Sequence, residues 1–149
     1  MKKHIFLLSF LFFIGCNDSE SGETLPDPPG TITINMDGNW IQPISDYIAE
    51  SFCWDTPNNI ILWDSENNQI TSLGKVGGLA AIKKYPHVEI GWSRNVACEV
   101  GHGYIMRFFR WQPNSIVYVR LYVVEKLVST SGGIMGAKIK YQEFTPENN

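Results

Sequence analysis

Apolar and polar residues alternate with a period of two over several stretches of this chain, and no segment keeps a helical period of 3.6 for long. In Thr31-Ile32-Thr33-Ile34-Asn35-Met36 the side chains of Ile32, Ile34 and Met36 share one face, and Asp37-Gly38-Asn39 closes the run as a turn. That is the pattern of a half-buried strand. Asn59 to Trp63 is a short apolar run followed by the turn-rich Asp64-Ser65-Glu66-Asn67-Asn68. Gln69 to Leu73 then reads as the second arm of a hairpin. Gly74, Gly77 and Gly78 make the next segment a loop, and Leu79 to Ile82, Val88 to Trp92 and Val96 to Val100 are further short strand candidates.

The C-terminal third has the strongest pattern. Tyr104 to Trp111 follows the turn Gly101-His102-Gly103, and Gln112-Pro113-Asn114-Ser115 ends it. From Ile116 to Val128 the chain is rich in β-branched and aromatic residues. Val117, Val119, Leu121 and Val123 fall on one face and Tyr118, Arg120 and Tyr122 on the other. Ala137, Ile139 and Tyr141 alternate with Lys138 and Lys140 in a last strand, while Ile44 to Phe52 has room for two helical turns. Short strands between turns predict an all-β fold, a single antiparallel β-sandwich-like domain.

The first sixteen residues follow a different rule. Lys2 and Lys3 precede an apolar run from Ile5 to Ile14, broken only by Ser9, and Gly15 precedes Cys16. Ten apolar residues are too few to cross a bilayer, which takes about 20. A positive start, a short apolar stretch and a small residue at the cut define a secretory signal peptide. Phe13-Ile14-Gly15-Cys16 resembles a bacterial lipobox, in which the cysteine becomes the lipidated first residue of the mature chain. That resemblance implies anchoring of Cys16 through two or three acyl chains such as palmitate. Each buried CH₂ contributes ~0.8 kcal/mol, so several chains hold far better than one.

From Asn17 to Gly30 the chain carries Asp18, Glu20, Glu23 and Asp27 with three prolines, and a single large apolar residue, Leu25. This composition reads as a flexible acidic linker. Acidic residues behind the lipidated cysteine resemble the surface-export signal of Bacteroidota lipoproteins; a generic solvated linker has the same composition. The expected organisation is a signal peptide over 1–15, lipidated Cys16 and linker over 16–30, the β domain over 31–144 and a disordered tail over 145–149.

The chain has 149 residues, 44% hydrophobic and 18% charged, with a formal charge of −3. One domain with a packed core fits that length and composition. Loss of residues 1–15 removes Lys2 and Lys3, leaving 10 basic against 15 acidic residues, a charge of −5. An acidic balance argues against nucleic acid as a partner.

Several stretches carry a further resemblance: Pro28-Pro29-Gly30-Thr31-Ile32-Thr33-Ile34-Asn35-Met36, Gly74-Lys75-Val76-Gly77-Gly78-Leu79, Gly91-Trp92-Ser93 to Val96-Ala97, and Gly101-His102-Gly103-Tyr104-Ile105-Met106-Arg107. Arg120-Leu121-Tyr122-Val123-Val124 and Ser131-Gly132-Gly133-Ile134-Met135-Gly136-Ala137-Lys138 to Tyr141-Gln142 complete the set. Together they resemble a family of short Bacteroidota lipoproteins classed as a domain of unknown function. The resemblance implies an outer-membrane lipoprotein, mostly β and facing the cell surface or the periplasm. It supplies no catalytic or binding residues.

Cys53 and Cys98 are the thiols left after Cys16, and in an oxidising compartment they read as a disulfide. Closing that loop of ~46 residues would contribute about 4 kcal/mol in the chain-entropy account. Two separate buried thiols are the alternative. Cys98 and His102 also have metal-like spacing, with Cys53 and His87 as further ligands; zinc requires four that converge, and His102 between two glycines reads equally as part of a turn. No metal or other cofactor is expected.

For a hydrolase the candidates are Asp46, Glu50, Asp55, Asp64 and Glu66, or a serine with His87 or His102. The Gly-x-Ser-x-Gly and phosphate-loop motifs are absent, so the chain is not expected to be an enzyme.

Aromatics supply the remaining chemistry. Five Trp and six Tyr are many for this size. Flat rings stack on sugars while amides and carboxylates hold hydroxyls. Trp54 stands beside Asp55, Asn58 and Asn59; Trp63 beside Asp64, Asn67, Asn68 and Gln69; Trp111 beside Gln112 and Asn114. Tyr118, Arg120 and Tyr122 form another candidate surface. Each of these aromatics could equally pack in a β core. The leading expectation is a lipid-anchored binding or adhesion module for a glycan or an envelope protein. A structural subunit of an envelope assembly is the alternative, and a small glycan-directed hydrolase comes third.

Overall fold

The computed structural model describes residues 25–43, 51–55, 58–63, 67–84, 91–110 and 114–147. Eight strands account for most of them: β1 Ile32–Met36, β2 Phe52–Asp55, β3 Asn59–Leu62, β4 Gln69–Lys75, β5 Asn95–Ala97, β6 His102–Arg110, β7 Ser115–Val128 and β8 Ile134–Phe144. A 3₁₀ turn covers Leu79–Ala81, and no α-helix occurs among the described residues. The fold is all-β, with a five-stranded sheet in the order β1-β8-β7-β6-β4 and a three-stranded sheet in the order β2-β3-β5. Every strand pair is antiparallel.

The alternation in β7 shows why these residues choose strands. Val117, Val119, Leu121 and Val123 are buried on one face, with Tyr118, Arg120 and Tyr122 half-buried on the other. Burying each large aliphatic side chain contributes ~1.5–3 kcal/mol, and only period-two backbone puts all four on one side. Their face meets Tyr104, Met106 and Phe108 from β6, Ala137, Ile139 and Tyr141 from β8, and Met36 from β1. The small sheet covers it with Phe52, Trp54, Ile60 and Leu62.

The other face of the large sheet is also covered. Leu79 and Ile82 lie over Ile105, with Leu73, Val76, Trp92, Tyr118, Tyr122 and Phe144 packed around them. Gly103 permits this cover, since a Cβ there would come within 2.8 Å of both Ile82 and Val76. Bridges join the two sheets at their margins. Ile41 exchanges both backbone hydrogen bonds with Phe52, and Ile70 does the same with Ser93.

Several expectations are corrected. β3 and β4 are not a hairpin: β3 is occupied on both edges by β2 and β5, and β4 crosses to the other sheet to pair with β6. Buried Asn68 holds that crossing, its Oδ1 accepting the Phe109 N–H at 3.1 Å. Leu79–Ala81 forms the 3₁₀ turn rather than a strand, with Ile82 extended at its end, and the buried Leu79 and Ile82 side chains pack on Ile105. Phe52, expected at the end of a helical segment, opens β2; residues 44–50 lie outside the described residues.

Residues 25–30 of the expected linker are docked. Asp27 pairs with Lys140 at 2.6 Å and the Pro29 carbonyl accepts from Gln142. Part of the expected tail is docked too, since Glu147 donates its N–H to the Lys83 carbonyl at 2.9 Å. Residues 1–15, expected as a signal peptide, and Cys16 lie outside the described residues.

Pairing of β1 with β8 depends on one glycine. A Cβ at Gly136 would stand 2.2 Å from the Met36 carbonyl oxygen and 3.1 Å from the Asp37 Cα. Both are backbone atoms, so neither yields without displacing the strand. Gly136→Ala is therefore expected to lower stability by ~1–3 kcal/mol, measured by urea unfolding. An unchanged midpoint would contradict the close approach.

Candidate functional site: an aromatic pair on the small sheet

Trp40 and Trp63 meet edge to face, with ring centroids 5.0 Å apart and planes at 80°. The backbone pairing explains their meeting. Ile41 bridges Phe52, and the Trp63 N–H donates to the Ser51 carbonyl at 2.9 Å. Phe52 and Leu62 point into the core. Their neighbours Trp40, Ser51, Cys53 and Trp63 therefore share the opposite, outer face of the small sheet. Trp40 keeps 37% of its surface exposed, and Trp63 is half-buried.

The chain reaches this face through the turn Asp37-Gly38-Asn39. Gly38 adopts a positive φ of 97°, which glycine accepts at no steric cost. Asn39 Nδ2 donates to Asp37 Oδ1 at 2.8 Å, and both side chains are exposed. An exposed indole thus follows directly on a carboxylate and an amide. Aromatic pairs of this geometry are stabilised by ~0.5–1.5 kcal/mol beyond their buried area, which favours this arrangement of the two rings. Cys53 and Ser51 are buried on the same face, and Ser51 Oγ has no hydrogen-bond partner among the described residues.

Inside the domain, polar groups hold this sheet against the large one. Tyr104, fully buried on β6, donates its hydroxyl to the Ala97 carbonyl and accepts the Glu99 N–H, both at 2.8 Å. Burial pushes its phenol up to about 12, so it stays protonated. Asn58 is a second tie. Its Oδ1 accepts the Trp54 indole N–H at 3.2 Å and the Lys126 ammonium from β7, while its Nδ2 donates to the Cys98 carbonyl at 2.8 Å. Lys126 also donates to that carbonyl.

These contacts place the residues singled out from sequence. Trp54 is in the core at 7% exposure, so its ring is not a surface platform. Trp63 is at the surface pair, and its partner there is Trp40, which the sequence reasoning passed over. A carboxylate and an amide just upstream of Trp40 were the available signal. Trp111 lies outside the described residues, as do His87, Asp46, Glu50, Asp64 and Glu66. Asp55 ends β2 and is exposed.

Tyr118, Arg120 and Tyr122 do share a face, but it is largely closed. Arg120 donates to Gln142 and, at 2.8 Å, to the Ile82 carbonyl, and it stacks 5.2 Å from the Phe144 ring. Burial holds its guanidinium below the ordinary arginine range. A cleft of about 320 Å³ remains beside Tyr122, bounded by Leu25, Asp27, Gly78, Val124 and Lys140. The Asp27–Lys140 pair already satisfies the charges there.

The expected disulfide is corrected: Cys53 and Cys98 are free thiols. They face opposite sides of one sheet. Cys98 belongs to the core cluster, whereas Cys53 sits between the core residues Phe52 and Trp54 and so points outward. Burial and then the nearby Asp55 carboxylate push the Cys53 thiol up to about 11. Burial raises Cys98 as well, against an opposing pull from Lys126. Thiols shifted this way are poor nucleophiles at neutral pH. His102 Nε2 lies 3.2 Å from Glu99 Oε2. Among the described residues no three His, Cys, Asp or Glu side chains gather to hold a metal.

No family model, curated protein or solved structure matches the chain.

Two outcomes follow. Unfolded in denaturant without reductant, the chain should expose Cys53 and Cys98 to a thiol reagent as two free groups; finding neither would restore the disulfide. Stability should also fall in alkali. Cys53 titrates higher folded than unfolded, so its contribution is complete below pH ~9 and is lost as pH rises through about 11. Urea midpoints from pH 8 to 11.5 should decline, and Cys53→Ala should flatten that decline. An equal slope in both proteins would contradict the assignment.

Proposed function

We propose that the protein is a lipid-anchored envelope module that binds glycan on the outer face of its small sheet. Anchoring at Cys16 rests on the positive n-region, the apolar run and Gly15-Cys16, and placement on the outer membrane at the cell surface on the acidic residues Asp18, Glu20 and Glu23 behind it. The binding reading rests on one observation: the exposed, edge-to-face Trp40–Trp63 pair next to Asp37 and Asn39. Two indoles at right angles offer one flat apolar face and one rim, the pair of surfaces that a pyranose presents in its CH face and its hydroxyls.

Assembly into an envelope structure is the second reading, and β1 favours it. That strand borders the large sheet, pairs only with β8 among the described residues, and carries no charge or proline. Exposed Ile32 stands on it. Natural edge strands are usually blunted by charged residues or proline, which β1 lacks.

The test uses the chain from Thr24 to Asn149, titrated with host and plant polysaccharides while Trp fluorescence is followed. Saturable quenching is expected, with Trp40→Ala and Trp63→Ala each weakening binding at least about tenfold, or ~1.4 kcal/mol. Silence across the panel, together with concentration-dependent self-association in sedimentation, would replace glycan binding by the assembly reading.

A further inference from the structure

We infer that the tip of the β7–β8 hairpin is a second membrane contact, resting in the interface of the bilayer that holds the anchor. The inference rests on the lipid-anchored reading of Cys16 and extends it to a surface of the folded domain.

β7 and β8 continue together past the rest of their sheet. β6 pairs with β7 no further than Tyr122, where the Gly101 N–H to Val123 carbonyl bond is the last tie, and β1 pairs with β8 only from Ala137 onward. Beyond these points the hairpin is two strands wide. Its base is fixed by Lys126 on Asn58 and by the Glu125–Lys138 pair at 3.3 Å. From Leu127 to Met135 there are nine residues without a charge. Val128, Ile134 and Met135 expose 58%, 46% and 52% of their surface, three of the eight large apolar side chains that the described residues leave exposed.

The turn between them pairs part of its own backbone. The Ser129 N–H donates to the Gly133 carbonyl at 2.8 Å, the Gly132 N–H to the Ser129 carbonyl at 2.9 Å, and the Gly133 N–H to Ser129 Oγ at 3.0 Å. Groups paired internally lose little when water is withdrawn. An uncharged tip, in which the exposed Val128, Ile134 and Met135 flank the small polar turn Ser129-Thr130-Ser131-Gly132-Gly133, therefore suits the headgroup–acyl boundary.

The docked N-terminal segment gives the direction. Pro29 sits at Gln142, Asp27 at Lys140, and Leu25 against Gly78 and Val124. Followed backward, the chain climbs β8 toward the hairpin tip. Val124 lies level with Lys138 and Ile139, so the tip at Ile134 is four or five residues further, ~13–17 Å at the rise of a strand. Eight residues lie between Leu25 and Cys16, nine Cα steps that span at most about 30 Å. The lipid thus attaches within reach of the same end of the molecule, and the bilayer is the occupant that this placement selects.

The full lipidated chain, reconstituted in phosphatidylcholine–phosphatidylethanolamine vesicles, tests this. A polarity-sensitive fluorophore on Ser131→Cys should shift to the blue and be quenched by nitroxide lipids. The same label on Asn35→Cys should stay in water, and buried Cys53 and Cys98 should remain unlabelled. Adding Met135→Asp should abolish the shift at Ser131→Cys while the protein stays on the vesicles. A tip label that reports water on vesicle-bound protein overturns the inference and leaves the anchor standing. A purified chain whose mass shows no lipid overturns the anchor, and the inference with it.

Discussion

The Tyr104 hydroxyl sets the relation between the two sheets. It leaves β6 on the inner face of the large sheet, is wholly buried, and closes on Ala97 and Glu99 at the end of the small sheet. A buried hydroxyl with no partner costs ~1–3 kcal/mol, so the stretch 97–99 is fixed where it can donate and accept. Cys98, between these two residues, is thereby held in the core. Its carbonyl is positioned for Asn58, and Asn58 in turn collects Trp54 and Lys126. Once the small sheet is held this way its inner side chains are committed. The residues alternating with them, Trp40 and Trp63 included, are left on the outer face.

This arrangement divides the molecule's surfaces by role. The outer face of the large sheet is closed by the 3₁₀ turn, by Arg120 bound to Gln142 and Ile82, and by the N-terminal segment through Asp27 and Pro29. The outer face of the small sheet keeps an exposed indole. The projecting hairpin presents uncharged apolar residues at one end. In the proposed account the hairpin and the anchor share the membrane, while the aromatic pair is the surface left for a ligand.

How much of this was legible in the sequence depends on the range of the interactions. β1, β6, β7 and β8 were readable because alternation in a half-buried strand is a local signal, as Val117 to Val123 illustrate. β2 was hidden because Phe52, Cys53 and Trp54 are all buried, which removes the alternation. The pairing of β4 was misread because Asn68, in a polar run typical of a turn, spends its side chain on Phe109, 41 residues away. Thiol pairing failed for a related reason: spacing does not reveal which side of a sheet a cysteine faces. Of the candidate surface, Trp63 was singled out and Trp40 was not. Their contact depends on the Ile41–Phe52 bridge, which no local pattern announces.

The most direct test of the central claim, that ligand is met on the outer face of the small sheet, is an NMR map of backbone amide shifts. Spectra would be compared with and without an envelope polysaccharide extract. The account predicts changes confined to 37–42, 51–55 and 61–63, around Trp40 and Trp63. Changes confined instead to Gly78, Tyr122, Val124 and Lys140 would move the site to the large sheet and contradict it.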